Sequence, residues 1–144
     1  MSSEKLYSEI FEEFEKATTK QERINILRRE GDERFRFFLQ LAFNPAIEFD
    51  IQLPHMYRPA KEPAGLNYAY LDTEMPKMYR FLKGHPMRPP GYTTERTTQQ
   101  LLVMIESLHK DEADCMVKML NKDIQIPTLT KKLVKKAFPD LDLG

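Results

Sequence analysis

The chain has 144 residues, with 22 basic and 22 acidic side chains, and so carries no formal net charge. That length predicts one domain spanning residues 1–144, and an apolar content of 41% is enough to give it a core of its own. The charge balance argues against a general nucleic-acid coat protein but leaves room for a local basic face.

A lone cysteine, Cys115, falls inside an apolar helical pattern and is expected to be a small core residue in a reducing compartment. No basic segment followed by an apolar one opens the chain, and no window reaches the ~18 apolar residues of a membrane span. The expectation is a cytoplasmic protein, not a membrane one.

In chain order, residues 3–17 place Leu6, Ile10, Phe11, Phe14 and Ala17 on one stripe at helical spacing. Thr19 with Glu22 forms a capping-box pattern opening a second helix, which Gly31 is expected to stop in a left-handed conformation. Asp32 can cap a third helix whose face is Phe35, Phe38, Leu39, Ala42 and Phe43. This is the expected central core helix, and Asn44-Pro45 ends it, since proline disfavours helical geometry at the residue before it. Ile47, Phe49, Ile51 and Leu53 alternate with polar residues, as in a short extended segment.

Seven of the ten prolines then fall between positions 54 and 90. Proline lacks a backbone donor and fixes φ, so residues 53–67 and 84–92 should be irregular. Between them, Asp72 or Thr73 can cap a short helix reaching Leu82, with Met75, Met78, Tyr79 and Leu82 inward. Thr93 or Thr94 opens a fifth helix with Leu101, Leu102, Ile105 and Leu108 on its stripe. Helices over 111–121 and 128–138 close the chain, the last stopped by Pro139. The fold expected is all-α, with six to seven short helices and a proline-rich central connection.

Motifs for chemistry are sparse. His55, His85 and His109 are scattered, with no i, i+4 pair, and no second cysteine joins Cys115, so neither a zinc site nor any other cofactor is expected. There is no glycine-rich phosphate loop. Cys115 six residues after His109 points inward and makes a poor nucleophile–base pair. Glu12-Glu13 and Asp111-Glu112 read as solvated helix faces or partners of first-turn dipoles.

Charge distribution is more informative. Residues 117–138 hold Lys118, Lys122, Lys131, Lys132, Lys135 and Lys136 against Asp123 alone, whereas residues 1–16 hold five glutamates against two lysines. The molecule is polarised although neutral. Lys131/Lys135 and Lys132/Lys136 repeat at i, i+4 and so line adjoining rows of one helical side. Thr128 and Thr130, at the expected helix start, would add donors for a phosphate. The ordinary alternative is a solvated lysine face. No arginine or aromatic residue interleaves the lysines, so any nucleic-acid contact should be to backbone rather than bases.

The run Thr19 to Leu27 (TKQERINIL), followed by residues 37–51, resembles the opening of phage-type ATP-dependent DNA ligases, which begin with an all-helical DNA-binding domain. Residues 120–124 (LNKDI) and 131–141, ending AFPDL, are similar to the end of that domain. The resemblance implies that Lys122-Asp123-Ile124 stands in for the family's Arg-Asp-Leu element and that Thr128 and Thr130 take the place of its small polar contacts to the minor groove. The family's turn glycine is replaced by Ile126-Pro127, and a bulkier turn cannot approach a duplex as closely. The Lys-x-Asp-Gly adenylation motif is absent, so ligase catalysis is not expected. The pattern also resembles small proteins of tailed phages, cyanophages especially, that carry this domain alone.

The first expectation is therefore a non-catalytic phage accessory protein, in the host cytoplasm, that holds duplex DNA backbone through its last helix pair. The site residues are Lys118, Lys122, Thr128, Thr130, Lys131, Lys132, Lys135 and Lys136. The alternative is a protein-interaction module or virion factor that presents Met56, Tyr57, Tyr68 and Tyr70 of the 54–90 segment to a phage or host protein.

Overall fold

The computed structural model describes residues 6–52 and 70–144, and these are all-α. Seven α-helices follow in order: α1 Tyr7–Lys16, α2 Lys20–Glu30, α3 Glu33–Phe43, α4 Leu71–Glu74, α5 Thr94–Glu106, α6 Lys110–Leu120 and α7 Lys131–Ala137, with a 3-10 helix, Met75–Phe81, continuing from α4. Met56, Tyr57, Tyr68 and the first irregular stretch expected above lie outside the described residues.

Local chemistry sets most boundaries. The Thr19 hydroxyl accepts the Glu22 N–H, as a capping box requires, but the Glu22 carboxylate reaches back to Thr18, not Thr19. Asp32 accepts the Phe35 N–H at the start of α3, and Asn44 caps its end. Thr93 caps α5. The helix expected after Asp72 instead opens at Leu71, with Thr73 accepting the Tyr70 N–H. From Met75, one residue before Pro76, it tightens to 3-10 geometry. The last helix starts at Lys131, capped by Thr130, three residues later than the sequence suggested, so Thr128 lies in the preceding turn.

The buried side chains form one hydrophobic cluster. At its centre Tyr7 meets Phe35 and Phe38 edge-on, with ring centroids 5.0 and 5.1 Å apart, and Phe11 tilts against the same pair. Such contacts add about 0.5–1.5 kcal/mol each beyond area burial. On α5, Met104 is buried and Leu102 only partly, a rotation of the expected stripe. Residues 47–52 are extended as expected. Phe49 makes an isolated antiparallel bridge with Leu82, and Asp50 anchors the segment to Arg88 at 2.7 Å and to the Thr94 hydroxyl.

Two residues depart from their sequence reading for steric or dielectric reasons. Gly31 has φ −79° and is not left-handed. Its lack of a side chain matters because a Cβ there would stand 2.6 Å from both the Leu27 carbonyl oxygen and an edge of the Phe138 ring. Glu112 is not a solvated first-turn acid: it is 1% exposed, and its carboxylate accepts the Ser8 N–H at 2.9 Å at the start of α1. Burial pushes this carboxyl above its ordinary range, against the backbone donors of Ser8, Tyr7 and Leu71 that favour the charged form.

Two outcomes follow for stability. Gly31→Ala should cost about 1–3 kcal/mol in denaturant unfolding, because backbone and ring cannot both withdraw; a cost near zero would show that the contact relaxes freely. For Glu112 the folded-state value is raised, so the native protein binds more protons than the unfolded chain once pH passes the ordinary value of 4.5. Stability should therefore fall as pH rises from there until the buried carboxyl is fully ionised. Glu112→Gln should remove that slope, and identical pH profiles for the two proteins would refute the assignment.

Candidate nucleic-acid interface

The basic face is built by α7 lying along α2. Leu133, Val134 and Ala137 are buried beneath α7, which leaves Lys131, Lys132, Lys135 and Lys136 exposed on its other side. Arg28 of α2 fixes the far end: its Nε donates to the Ala137 carbonyl at 3.2 Å and its Nη2 to that of Lys136 at 3.3 Å. These are carbonyls of the last turn of α7, where a cation is favoured by the helix dipole. The Phe138 ring over Gly31 completes the contact.

The four lysines border an open groove of about 680 Å³ that Asp142, Leu143 and Gly144 close on one side. Lys135 Nζ donates to the Leu141 carbonyl at 2.7 Å, so the tail holds one of the four in place. The sequence reading missed Lys20. At the first position of α2 it lies close to Lys136, whose ammonium, with that of Lys132 further off, lowers its pKa. No one-dimensional pattern links residue 20 to residue 136; only the packing of α2 on α7 does. Among the described residues none of these five lysines forms an ion pair, so their field is not cancelled locally.

The other expected site residues are elsewhere. Lys118 is ion-paired with Asp114 at 3.0 Å and lines a separate groove between α1 and α6. Thr130 uses its hydroxyl on the Leu133 N–H of its own helix, and α7 has only seven residues, so the helix start adds no phosphate pocket. Thr128 is exposed but stands outside the helix.

Lys122 has a structural task. After α6 the chain closes in a Schellman pattern, with Asp123 N–H to Lys118 O and Lys122 N–H to Met119 O, and Lys122 takes the left-handed position at φ 57°. Glycine would suit that backbone better. The lysine is explained by its ammonium, which donates to the Leu41 and Asn44 carbonyls at 2.6 and 2.8 Å and lies 5.3 Å from the centre of the Phe49 ring. It caps the C-terminal end of α3, and burial lowers its pKa.

The remaining chemistry is quiet. Cys115 is buried, and desolvation pushes its thiol upward, as expected of a core cysteine. His109 caps α6 by accepting the Asp111 N–H. Among the described residues no group of three or more His, Cys, Asp and Glu is placed to hold a metal, and no helix is long and apolar enough to cross a membrane. Of the aromatic residues proposed as a docking group, Tyr70 is described and is 39% exposed.

Residues 10–126 match a family of unknown function (DUF6433), and the chain belongs to that family. No curated protein matches it. Among solved structures it is similar to one named Pmar-Lig_PreS3, with a TM-score of 0.62 and 20% sequence identity over 98% of this chain. The chain spans 32% of that protein's chain, and at this identity the likeness concerns the fold.

If Lys122 is an internal cap, Lys122→Ala should lower unfolding stability by about 1–3 kcal/mol, the cost of stranding charge-assisted carbonyl partners. It should leave any polyanion binding within about twofold of wild type, since one phosphate contact carries more than that. A stable variant with weakened binding would return Lys122 to the interface.

Proposed function

We propose that this chain is a non-catalytic accessory protein of phage type that binds the sugar–phosphate backbone of duplex DNA through the α2/α7 lysine face, working in the host cytoplasm. The observation that carries the reading is the row of Lys131, Lys132, Lys135 and Lys136 along one groove, with Lys20 close to Lys136 and, among the described residues, no ion pair to any of the five, although Asp142 borders the same groove. Lys20 is unfavourably placed twice over, at the positive end of the α2 dipole and against another lysine. Folding gains nothing visible from that arrangement, whereas a bound phosphate would relieve both strains.

Two further points support it. The sequence resembles the DNA-binding domain of phage-type ligases, and the all-helical fold that this resemblance implies is the one the chain has. No Lys-x-Asp-Gly adenylation motif lies within these 144 residues, so the reading proposes binding alone. Lysines without interleaved arginine or aromatic residues contact phosphates but do not read base edges or stack on bases, so affinity should be independent of sequence and greater for duplex than for isolated single strands.

Fluorescence anisotropy with labelled intact and nicked duplexes tests this. Four phosphate contacts predict a loss of roughly a hundredfold in affinity between ~50 and ~200 mM salt. Replacing Lys131, Lys132, Lys135 and Lys136 by glutamate should abolish binding, and Lys20→Glu should weaken it, while Lys118→Glu should not. Absence of binding by the wild type at ~50 mM salt would sink the DNA reading and favour the protein-interaction alternative.

A further inference from the structure

A second groove, of about 580 Å³, lies between α1 and α6. One wall carries Glu9, Glu12 and Glu15 of α1, and the other Asp111 and Asp114 of α6. Beneath them the floor is apolar, with Phe11, Ile124 and Ile126. Lys118, which also lines the groove, is paired with Asp114, Glu12 is paired with Lys16 of its own helix and Glu9 accepts the Leu6 N–H, so five carboxylates stand against two lysines and the groove keeps a negative excess.

The chain itself carries a shape that matches this groove. Helix α7 is two turns long, about 10 Å at 1.5 Å per residue. Its lysines form two rows, Lys131/Lys135 and Lys132/Lys136, about 100° apart around the helix axis. A helix decorated in that way, set between two carboxylate walls, turns one lysine row to each wall. The long methylene stems of lysine would cover the apolar floor while their ammonium groups reach the carboxylates. The two faces belong to different helix pairs, α1 with α6 and α2 with α7, and no ion pair joins them among the described residues. With no net charge on the chain, copies have no long-range repulsion to overcome.

We propose that the acidic α1/α6 groove of one copy receives the α7 lysine face of a second copy, giving head-to-tail self-association through salt-sensitive ion pairs. The contact is heterologous, so each pair leaves one groove and one lysine face open to further copies. It stands whether or not the lysines also bind DNA, and it hides them from other polyanions while it lasts.

Sedimentation velocity of the full chain tests the proposal. At ~50 mM salt the protein should form species larger than a monomer, with the association weakened at least about tenfold at ~200 mM. Glu12→Gln with Glu15→Gln removes part of the groove; Lys132→Gln with Lys136→Gln removes one lysine row. All four positions are exposed, and circular dichroism should show both variants folded. Each variant alone should be monomeric at ~50 mM salt. An equimolar mixture should form a 1:1 complex, because the first variant retains the lysines and the second the groove. Glutamine is used instead of charge reversal so that long-range attraction between the two variants stays small. A wild type that is monomeric at ~50 mM salt overturns the proposal, as does association that survives either variant or a mixture that fails to pair. A monomeric wild type that nevertheless binds a lysine-rich peptide in the groove would assign that surface to a basic partner protein and also overturn it.

Discussion

The contact between α2 and α7 is the constraint on which the candidate site depends. Arg28 holds the last carbonyls of α7, Phe138 lies over a position that has no Cβ, and three apolar residues of α7 are buried beneath it. Each of these joins the beginning of the chain to its end. Without them, α7 would be a seven-residue helix with four lysines, too short and too highly charged to persist alone in water. Packing onto α2 therefore turns a weak helix into an ordered row of cations, and it brings Lys20 into that row.

The sequence was most legible where a local physical rule had no competitor. Thr19, Asp32 and Thr93 cap helices because a short side-chain oxygen satisfies a free N–H three residues ahead, whereas the same role of Thr130 was missed because the last helix was started at 128. The phenylalanine stripe on α3 reads as core for an equally local reason. Long-range partners are where the reading failed. Glu112 looks like a helix-face acid until α1 and α4 are laid against it, and Gly31 looks like a helix stop until Phe138 arrives. The interface residues divide the same way: the four lysines of α7 were readable from their spacing, whereas Lys118 was assigned to the face on charge and Lys122 on charge and on the resemblance to the ligase domain. Their actual partners, Asp114 for one and the end of α3 for the other, depend on which side of α6 each residue leaves.

Lys122 also bears on the resemblance to the ligase-type domain. Its left-handed backbone does what a turn glycine would do, yet glycine offers no ammonium to the carbonyls at the end of α3. The turn after α6 is thus tight and its side chain has an internal task. A surface approaching DNA at that turn would meet a lysine already held by two carbonyls and lying near an aromatic ring, not a free cation. The stronger electrostatic surface is on α7, one element further along the chain.

A neutral chain with separated charged poles differs from a neutral chain with mixed ones. Mixed charges form local pairs and leave little field beyond a Debye length, about 8 Å at physiological salt. Here the glutamates of α1 and the lysines of α7 sit on different elements, and only some of the acids are paired, as Glu12 is with Lys16 and Glu13 with Arg29. The lysine face remains unpaired among the described residues, and Lys20 is held against its own kind. Such a surface is costly to form and gains stability from any polyanion that covers it, whether a phosphate backbone or a row of carboxylates. Which of these fits better is a matter of spacing: phosphates along one strand of a duplex are set by the nucleic acid, while the two walls of the α1/α6 groove are set by helix packing. The two-rowed arrangement on α7 suits a partner with charge on both sides of it, a geometry that the walls of a duplex groove and the walls of the acidic groove share.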